Sequence, residues 1–244
     1  MHRLATGPRW GAATARGPRS VNADATAAYT DPSTGEVVFA LADGVGDDRT
    51  AARAARIAVS TAVRVPASQG PAAALAAAQR AVRAEPGGDC VLVVAMPVDG
   101  GYRAGWVGDV RAYAWDGDSL RQLTRDHTLA QYFRERGQVT TPRMEHLVTT
   151  SVRTARPAEF GAAEALVPAG LLLTSDGVHK TLTRAAMAEL LRLPENGAHD
   201  LVTAALAAGS QDNATALMAD LAPRLPGAAT PLPTVAPGLT GFAG

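Results

Sequence analysis

One cysteine, Cys90, and one lysine, Lys180, stand in a chain of 244 residues. A lone cysteine excludes an intramolecular disulfide and any multi-cysteine zinc or iron–sulfur site. Charge of one sign is missing too: 23 basic and 23 acidic residues cancel, leaving no basic field to attract nucleic acid or acidic lipid. Arginine supplies nearly all of the basic side, and with so much alanine this reads as a GC-rich coding bias. No apolar run approaches the roughly 18–20 residues of a membrane helix. The N-terminal MHRLATGPRWGAATARGPR lacks the apolar core, about 7–15 residues long, of a secretory signal. Phosphate-binding-loop, G-x-S-x-G and H-E-x-x-H motifs are all absent, which disfavours P-loop nucleotide hydrolysis, a serine-hydrolase elbow and a zinc peptidase. Aromatic residues are few, at 5%, yet 47% hydrophobic content is enough for a core. One soluble, cytoplasmic, monomeric domain with no nucleic-acid or membrane partner is the expectation.

The two ends differ from the middle. Residues 1–16 read as an N-terminal extension, 17–222 as the folded domain, and 223–244 as a Pro/Gly-rich flexible tail. Short apolar runs bounded by turn residues predict strands at Ala23–Thr30, Val37–Ala42, Cys90–Pro97, Tyr102–Val107, Arg111–Trp115, Val148–Val152, Leu171–Thr174 and Ala214–Ala219. Asp116-Gly117 marks a hairpin into Leu120–Leu123. Helices are expected at Thr50–Val65, Pro71–Ala84, Leu129–Gly137, Arg184–Leu191 and Ala198–Gly209, with Asp48 or Thr50 and Thr183 as caps and Gly209 as a stop. Regular strand–helix alternation is missing, so an antiparallel α+β layered architecture fits better than a doubly wound parallel sheet.

Five aspartates fall at strand boundaries: Asp24, Asp43, Asp109, Asp176 and Asp212. Taken singly, each is explained by turn or cap chemistry, since Asp-Gly is a common turn pair. Taken together, strand ends delivering Asp43-Gly44 and Asp176-Gly177, with Asp212-Asn213 before a further strand, suggest an oxygen-only site for a hard ion such as Mg2+ or Mn2+. Two such ions about 4 Å apart lower the pKa of a bridging water and steady a phosphoryl group.

In chain order, Arg19-Ser20-Val21-Asn22-Ala23-Asp24, Ala42-Asp43-Gly44-Val45-Gly46, Val107-Gly108-Asp109-Val110-Arg111, Leu123-Thr124-Arg125-Asp126-His127-Thr128, Thr174-Ser175-Asp176-Gly177 and Asp212-Asn213-Ala214-Thr215 form a series. This series resembles the motifs of the protein phosphatase 2C family, the metal-dependent serine/threonine phosphatases, in their bacterial single-domain form. The resemblance runs from about Gly17 to Leu221. It implies a four-layer αββα sandwich, two antiparallel sheets face to face with helix pairs outside. It implies two core Mn2+ or Mg2+ ions, with Asp43 bridging them, the Gly44 carbonyl on one, and Asp24, Asp176 and Asp212 completing the pair. Asp109 would hold a third, weaker ion together with Asp176, and Arg19 would hold the substrate phosphate. The implied activity is hydrolysis of phosphoserine or phosphothreonine in proteins by metal-activated water, in signalling that opposes bacterial Ser/Thr kinases. A catalytically weakened module that regulates or binds is the alternative, as is a substrate among sigma-factor regulators.

Departures from the pattern bear on that alternative. Ala23 stands where an acidic or amide residue is usual, Asp47 where a second Gly is, and Val110 where Ser is; Gly88-Asp89-Cys90 replaces G-[ST]-T. These changes would shift metal affinity or bring Asp47 in as an extra carboxylate. Val45 occupies the place of a histidine seen in eukaryotic members, so the general acid is open. Arg143, His146 and Arg153, in the segment where the family carries a variable flap, are candidate phosphopeptide contacts, though solvated loop charge is the commoner role. His127 reads as a structural hydrogen-bonding residue, His179 as exposed with a lesser chance of lying at the mouth, Cys90 as a buried small hydrophobe, and Trp106 and Trp115 as core.

Overall fold

The computed structural model describes residues 9–165, 170–193 and 197–220. Its strands are β1 (Trp10–Ala15), β2 (Ala25–Thr30), β3 (Val37–Gly44), β4 (Cys90–Val98), β5 (Gly101–Val107), β6 (Arg111–Trp115), β7 (Leu120–Gln122), β8 (Gly161–Ala165), β9 (Gly170–Thr174) and β10 (Ala214–Ala219). Helices are α1 (Arg49–Ala62), α2 (Gly70–Ala84), α3 (Leu129–Arg134), α4 (Asp176–His179), α5 (Arg184–Leu191) and α6 (Ala198–Ala207). The strands form two antiparallel five-stranded sheets, in the orders β1-β10-β9-β6-β7 and β2-β3-β4-β5-β8.

Side-chain alternation assigns the layers, because successive residues of a strand face opposite sides of its sheet. In β3 and β4, Val37, Phe39, Leu41, Val91 and Val93 meet Leu171, Leu173 and Leu217 of the other sheet. Their neighbours Val38, Ala40, Ala42, Leu92, Val94 and Met96 face α1 and α2 instead. On the far side Leu172, Ala214 and Ala216 pack against Met187 and Leu191 of α5 and Leu201 and Val202 of α6. Four layers result, helix–sheet–sheet–helix, as the resemblance implied. Both inner strands are apolar on each face because each face is covered. Alanines 51, 52, 54, 55, 58 and 62 line the buried side of α1, and such small side chains let a helix backbone lie close to the sheet.

Most elements begin and end within a few residues of the sequence expectation, and the hairpin at Asp116-Gly117 forms with Gly117 at φ +100° and Asp116 accepting from Asp118 and Ser119 amides. Three differences stand out. Residues 10–15, set outside the domain by the sequence reading, are β1, paired residue for residue with β10 from Trp10↔Ala219 to Ala15↔Ala214. WGAATA carries too little apolar contrast to read as a strand, and its edge position needs little. Val148–Val152, expected to be a strand, is not one: it pairs with the segment before α3 through a single bridge, Thr128↔Val148. Its amides go elsewhere, Thr149 to the His127 carbonyl and Val152 to the Cys90 carbonyl, so its β-branched composition serves packing rather than a ladder. The sheet edge beside β5 is taken by β8, whose Gly-Ala-Ala-Glu-Ala is as faint a signal as β1. The expected tail, 223–244, lies outside the described residues.

Candidate active site

Antiparallel register brings the five aspartates to one end of the sandwich. Asp43 is the penultimate residue of β3 and continues the row Val37, Phe39, Leu41 between the sheets. Asp24 immediately precedes β2, which pairs Ala25 with Ala42 beside it. From the other sheet, Asp176 follows β9 and Asp212 precedes β10. Asp109 lies between β5 and β6, the latter pairing Arg111 with Thr174. Arg19, Asp43, Gly44, Asp109, Asp176 and Asp212 line a cleft of about 150 Å3. A neighbouring hollow of about 450 Å3 shares Arg19, His146, Asp176 and Asp212 and adds Lys180. Asp24 is buried, outside this lining, yet its charge still acts on Asp43.

The glycines after Asp43 and Asp176 are not turn glycines. Neither has a positive φ. A Cβ on Gly44 would sit 2.8 Å from the Ala51 backbone of α1, and one on Gly177 would sit 2.1 Å from the Asn213 carbonyl oxygen. Close approach of backbone is what requires them, and in the second case that approach sets Asp176 beside the start of β10. Sequence inspection does not separate these two from the hairpin glycine, Gly117.

Hydrogen bonds lock the loops that carry the site. Asn213 is a hub: its Oδ1 accepts from the Ala23 amide at 2.8 Å, and its Nδ2 donates to the Arg16 and Val21 carbonyls at 2.8 and 2.9 Å. Ser175 Oγ donates to Asp24 Oδ2 at 2.7 Å and accepts from the Thr215 amide. The Asp109 loop is clamped from outside. Gly108 donates its amide to His127 Nδ1 and accepts from the His127 amide, while Arg111 grips Asp126 through two bonds, 2.9 and 2.6 Å. His127 therefore has the structural role expected of it.

Arg19 extends over the cleft edge with one guanidinium nitrogen 2.6 Å from Asp212 Oδ2. Asp47 is not an extra carboxylate of the cleft. Both its oxygens accept backbone amides, from Ser20 at 3.0 Å and Val21 at 2.9 Å, pinning the segment that carries Arg19. Val110 is fully buried between the sheets, and Ala23 packs against Ala51 and Ala52, so neither departure reaches into the cleft. Of the flap candidates, His146 lines the cleft and Arg143 is exposed. Arg153 donates to the carbonyls of Val82, Glu85, Gly87 and Gly88, which makes it a strut between the end of α2 and the flap. His179 is buried rather than exposed, its Nδ1 2.8 Å from Thr174 Oγ1, because α4 folds back under β9. Cys90, Trp106 and Trp115 are buried, as expected.

The electrostatics of this end are those of crowded anions. Burial, then the charges of Asp176 and Asp212, push Asp24 up to about 7 against the pull of the Thr215 and Ser175 hydrogen bonds. Asp43 is driven well above the ordinary carboxylate range by burial and by Asp24, Asp176, Asp109 and Asp212. Burial likewise raises Asp109 and Asp212. Asp24 Oδ1 and Asp176 Oδ1 are buried with no hydrogen-bond partner. Oxygen-only donors, mutual repulsion and two orphaned carboxylate oxygens fit a hard divalent cation. Among the described residues, no three acidic, histidine or cysteine side chains stand as a ready-made ligand cage. Instead Lys180 holds Asp109 and Asp176, at 2.6 and 2.9 Å, and Arg19 holds Asp212.

Sequence reasoning missed Lys180, Asn213 and Ser175 as parts of this site. Each left a signal: Ser175 and Asn213 stand inside the motifs that carry Asp176 and Asp212, and Lys180 is the sole lysine, one helical turn after Asp176.

Two facing antiparallel sheets between helix pairs, with aspartates from both sheets at one end, are the architecture of the PP2C-type phosphatases, and the chain is similar to the bacterial members of that family. Its relatives are specific. The serine/threonine protein phosphatase PstP of Mycobacterium tuberculosis is 31% identical over 125 residues, which cover 47% of this chain and 24% of that protein. The match thus spans about a quarter of the curated relative. The crystal structure of Mycobacterium tuberculosis PstP/Ppp superposes with a TM-score of 0.76 at 25% identity, covering 89% of this chain and 100% of that one. The PstP catalytic domain in complex with two manganese ions gives 0.69 at 26% identity, over 89% and 99%. No protein-family model matches the chain.

Proposed function

We propose that this chain is a metal-dependent phosphoprotein phosphatase that hydrolyses phosphoserine and phosphothreonine in the cytoplasm and opposes bacterial Ser/Thr kinases. The observation that carries the reading is the cleft with the buried aspartate behind it: carboxylates from two sheets, orphaned oxygens on Asp24 and Asp176, and Arg19 at the rim. The manganese held by the PstP catalytic domain supports Mn2+ or Mg2+ as its ions. Asp24, Asp43, the Gly44 carbonyl, Asp176 and Asp212 would hold them. Bound divalent cations supply Lewis acidity and a water that is nucleophilic at neutral pH.

The rest falls to the chain's own residues. Arg19 exchanges Asp212 for a substrate phosphate, whose oxygens its planar fork matches. Asp47, through the Ser20 and Val21 amides, keeps that fork over the cleft. Ser175 and Asn213 fix Asp24 and the approach of the first loop to β10, so the carboxylates are preorganised before substrate arrives.

The test is hydrolysis of a phosphothreonine peptide with millimolar Mn2+, with Mg2+, and with EDTA. Turnover is expected with metal, is expected to vanish in EDTA, and is expected to fall by at least about 1,000-fold in Asp43→Asn or Asp176→Asn, in keeping with loss of metal catalysis. Arg19→Ala is expected chiefly to raise KM. Full activity in Asp43→Asn overturns the metal-site reading. Folded protein inert with every metal would make the chain a binding or regulatory module.

A further inference from the structure

The only lysine of the chain lies where lysine is least expected. Its side chain is 15% exposed, and its Nζ stands 2.6 Å from Asp109 Oδ2 and 2.9 Å from Asp176 Oδ2. Lysine ordinarily keeps its ammonium in water. Here α4 begins at Asp176, and one turn later its C-terminal cap, Lys180, points back along the same face. Asp109 is 5% exposed in its side chain and receives its one side-chain hydrogen bond from this ammonium. A surface pair would be exchangeable; this one joins two loops of the cleft across 71 residues of sequence. Both partners hold a full charge in little water, so each needs the other.

We propose that Lys180 is a built-in cation: its ammonium, rather than a divalent ion, neutralises the Asp109–Asp176 pair, and this protein binds no metal there. The reading rests on the cleft being a divalent-cation site, and it alters the expectation that Asp109 and Asp176 share a third ion. An ammonium and a divalent cation cannot occupy one gap between the same two oxygens, because their like charges repel at that range. Ion binding is thereby confined to Asp24, Asp43, the Gly44 carbonyl, Asp176 and Asp212. The side of the cleft next to Asp109 carries its positive charge at every metal concentration. With two of its three N–H donors committed, Lys180 retains one for an anion in the hollow it shares with Arg19.

Counting ions by native mass spectrometry and equilibrium dialysis against Mn2+ tests this without reference to turnover. Lys180→Met, which keeps length and removes charge, is expected to bind one more Mn2+ than the wild type, and Lys180→Met/Asp109→Asn to lose it again. Equal counts in wild type and Lys180→Met overturn the proposal while leaving the cleft reading intact. No Mn2+ bound by any form overturns both. A second measurement uses the unaltered protein, should Lys180→Met fail to fold. Acetic anhydride labelling of Lys180, read by peptide mass spectrometry, is expected to stay low and unchanged from zero to 20-fold molar excess of Mn2+. Labelling that rises with Mn2+ means the ion displaces the ammonium, and the proposal fails.

Discussion

Arg111 and Asp126 come from two motifs that look unrelated in the sequence, Gly-Asp-Val-Arg and Leu-Thr-Arg-Asp-His-Thr. In the fold they are one device, a two-bond ion pair with Asp126 buried. Its use is positional, since Arg111 begins β6 two residues after Asp109. Burial alone would lower the Arg111 pKa, but the Asp126 hydrogen bond and charge raise it instead, so the guanidinium stays charged throughout. Arg111→Met leaves a carboxylate in a dry site without a partner. The expected cost is about 3–5 kcal/mol, read as a lower urea midpoint with unchanged slope. An unchanged midpoint would mean the pair is incidental. At this scale the sequence was informative about which aspartates gather at the cleft, because strand-end position is a local property. It drew attention to Asp47, Asn213 and Ser175 but not to their anchoring roles, because their partners lie 26 to 197 residues away.

Elements were legible wherever a face is strongly apolar and obscure wherever alanine and glycine dilute the pattern. β3, β4 and β9 announce themselves; β1 and β8 do not, though each completes a sheet edge. Val148–Val152 misleads in the opposite direction, with strand composition spent on loop contacts. The short helix α4 shows what an element adds to its residues. It is four residues long and carries Asp176 at its start and Lys180 at its cap, and Gly177 lets it press against the beginning of β10. Gly177→Ala puts a methyl 2.1 Å from the Asn213 carbonyl oxygen, so the helix must back away. The expected result is about 1–3 kcal/mol of destabilisation together with weaker Mn2+ binding, measured by urea unfolding and by titration calorimetry. Wild-type values for both would show that α4 has room to spare.

For the molecule as a whole, an antiparallel α+β architecture was legible in the missing strand–helix alternation, while the four layers were what the resemblance implied. What remained hidden was how the outer helix layer is tied to the site. His179 provides one such tie and a pH dependence with it. Burial, reinforced by the positive charges of Arg111 and Lys180, holds its pKa well below the ordinary 6.5. The native state keeps this ring neutral while the unfolded chain protonates it below about 6.5, so the unfolded state binds more protons there. Its contribution is therefore complete above that pH and is lost as pH falls, by up to about 1.4 kcal/mol per pH unit. Comparing wild type with His179→Gln by urea unfolding from pH 8 to pH 5, the stability difference is expected to shrink in acid. A difference that stays constant over this range would remove His179 from the account.

The pairing of β1 with β10 has a consequence for how the domain is carried. Arg9 accepts the Asp220 amide at 2.8 Å, and their side chains meet at the same distance, so the two margins of the described fold are neighbours. Both lie a strand length, about 20 Å, from the aspartate end, since β10 begins beside Asp212 and runs away from it. The two margins of the described fold therefore share one corner, at the end of the sandwich opposite the cleft, so the aspartate end stays clear of both.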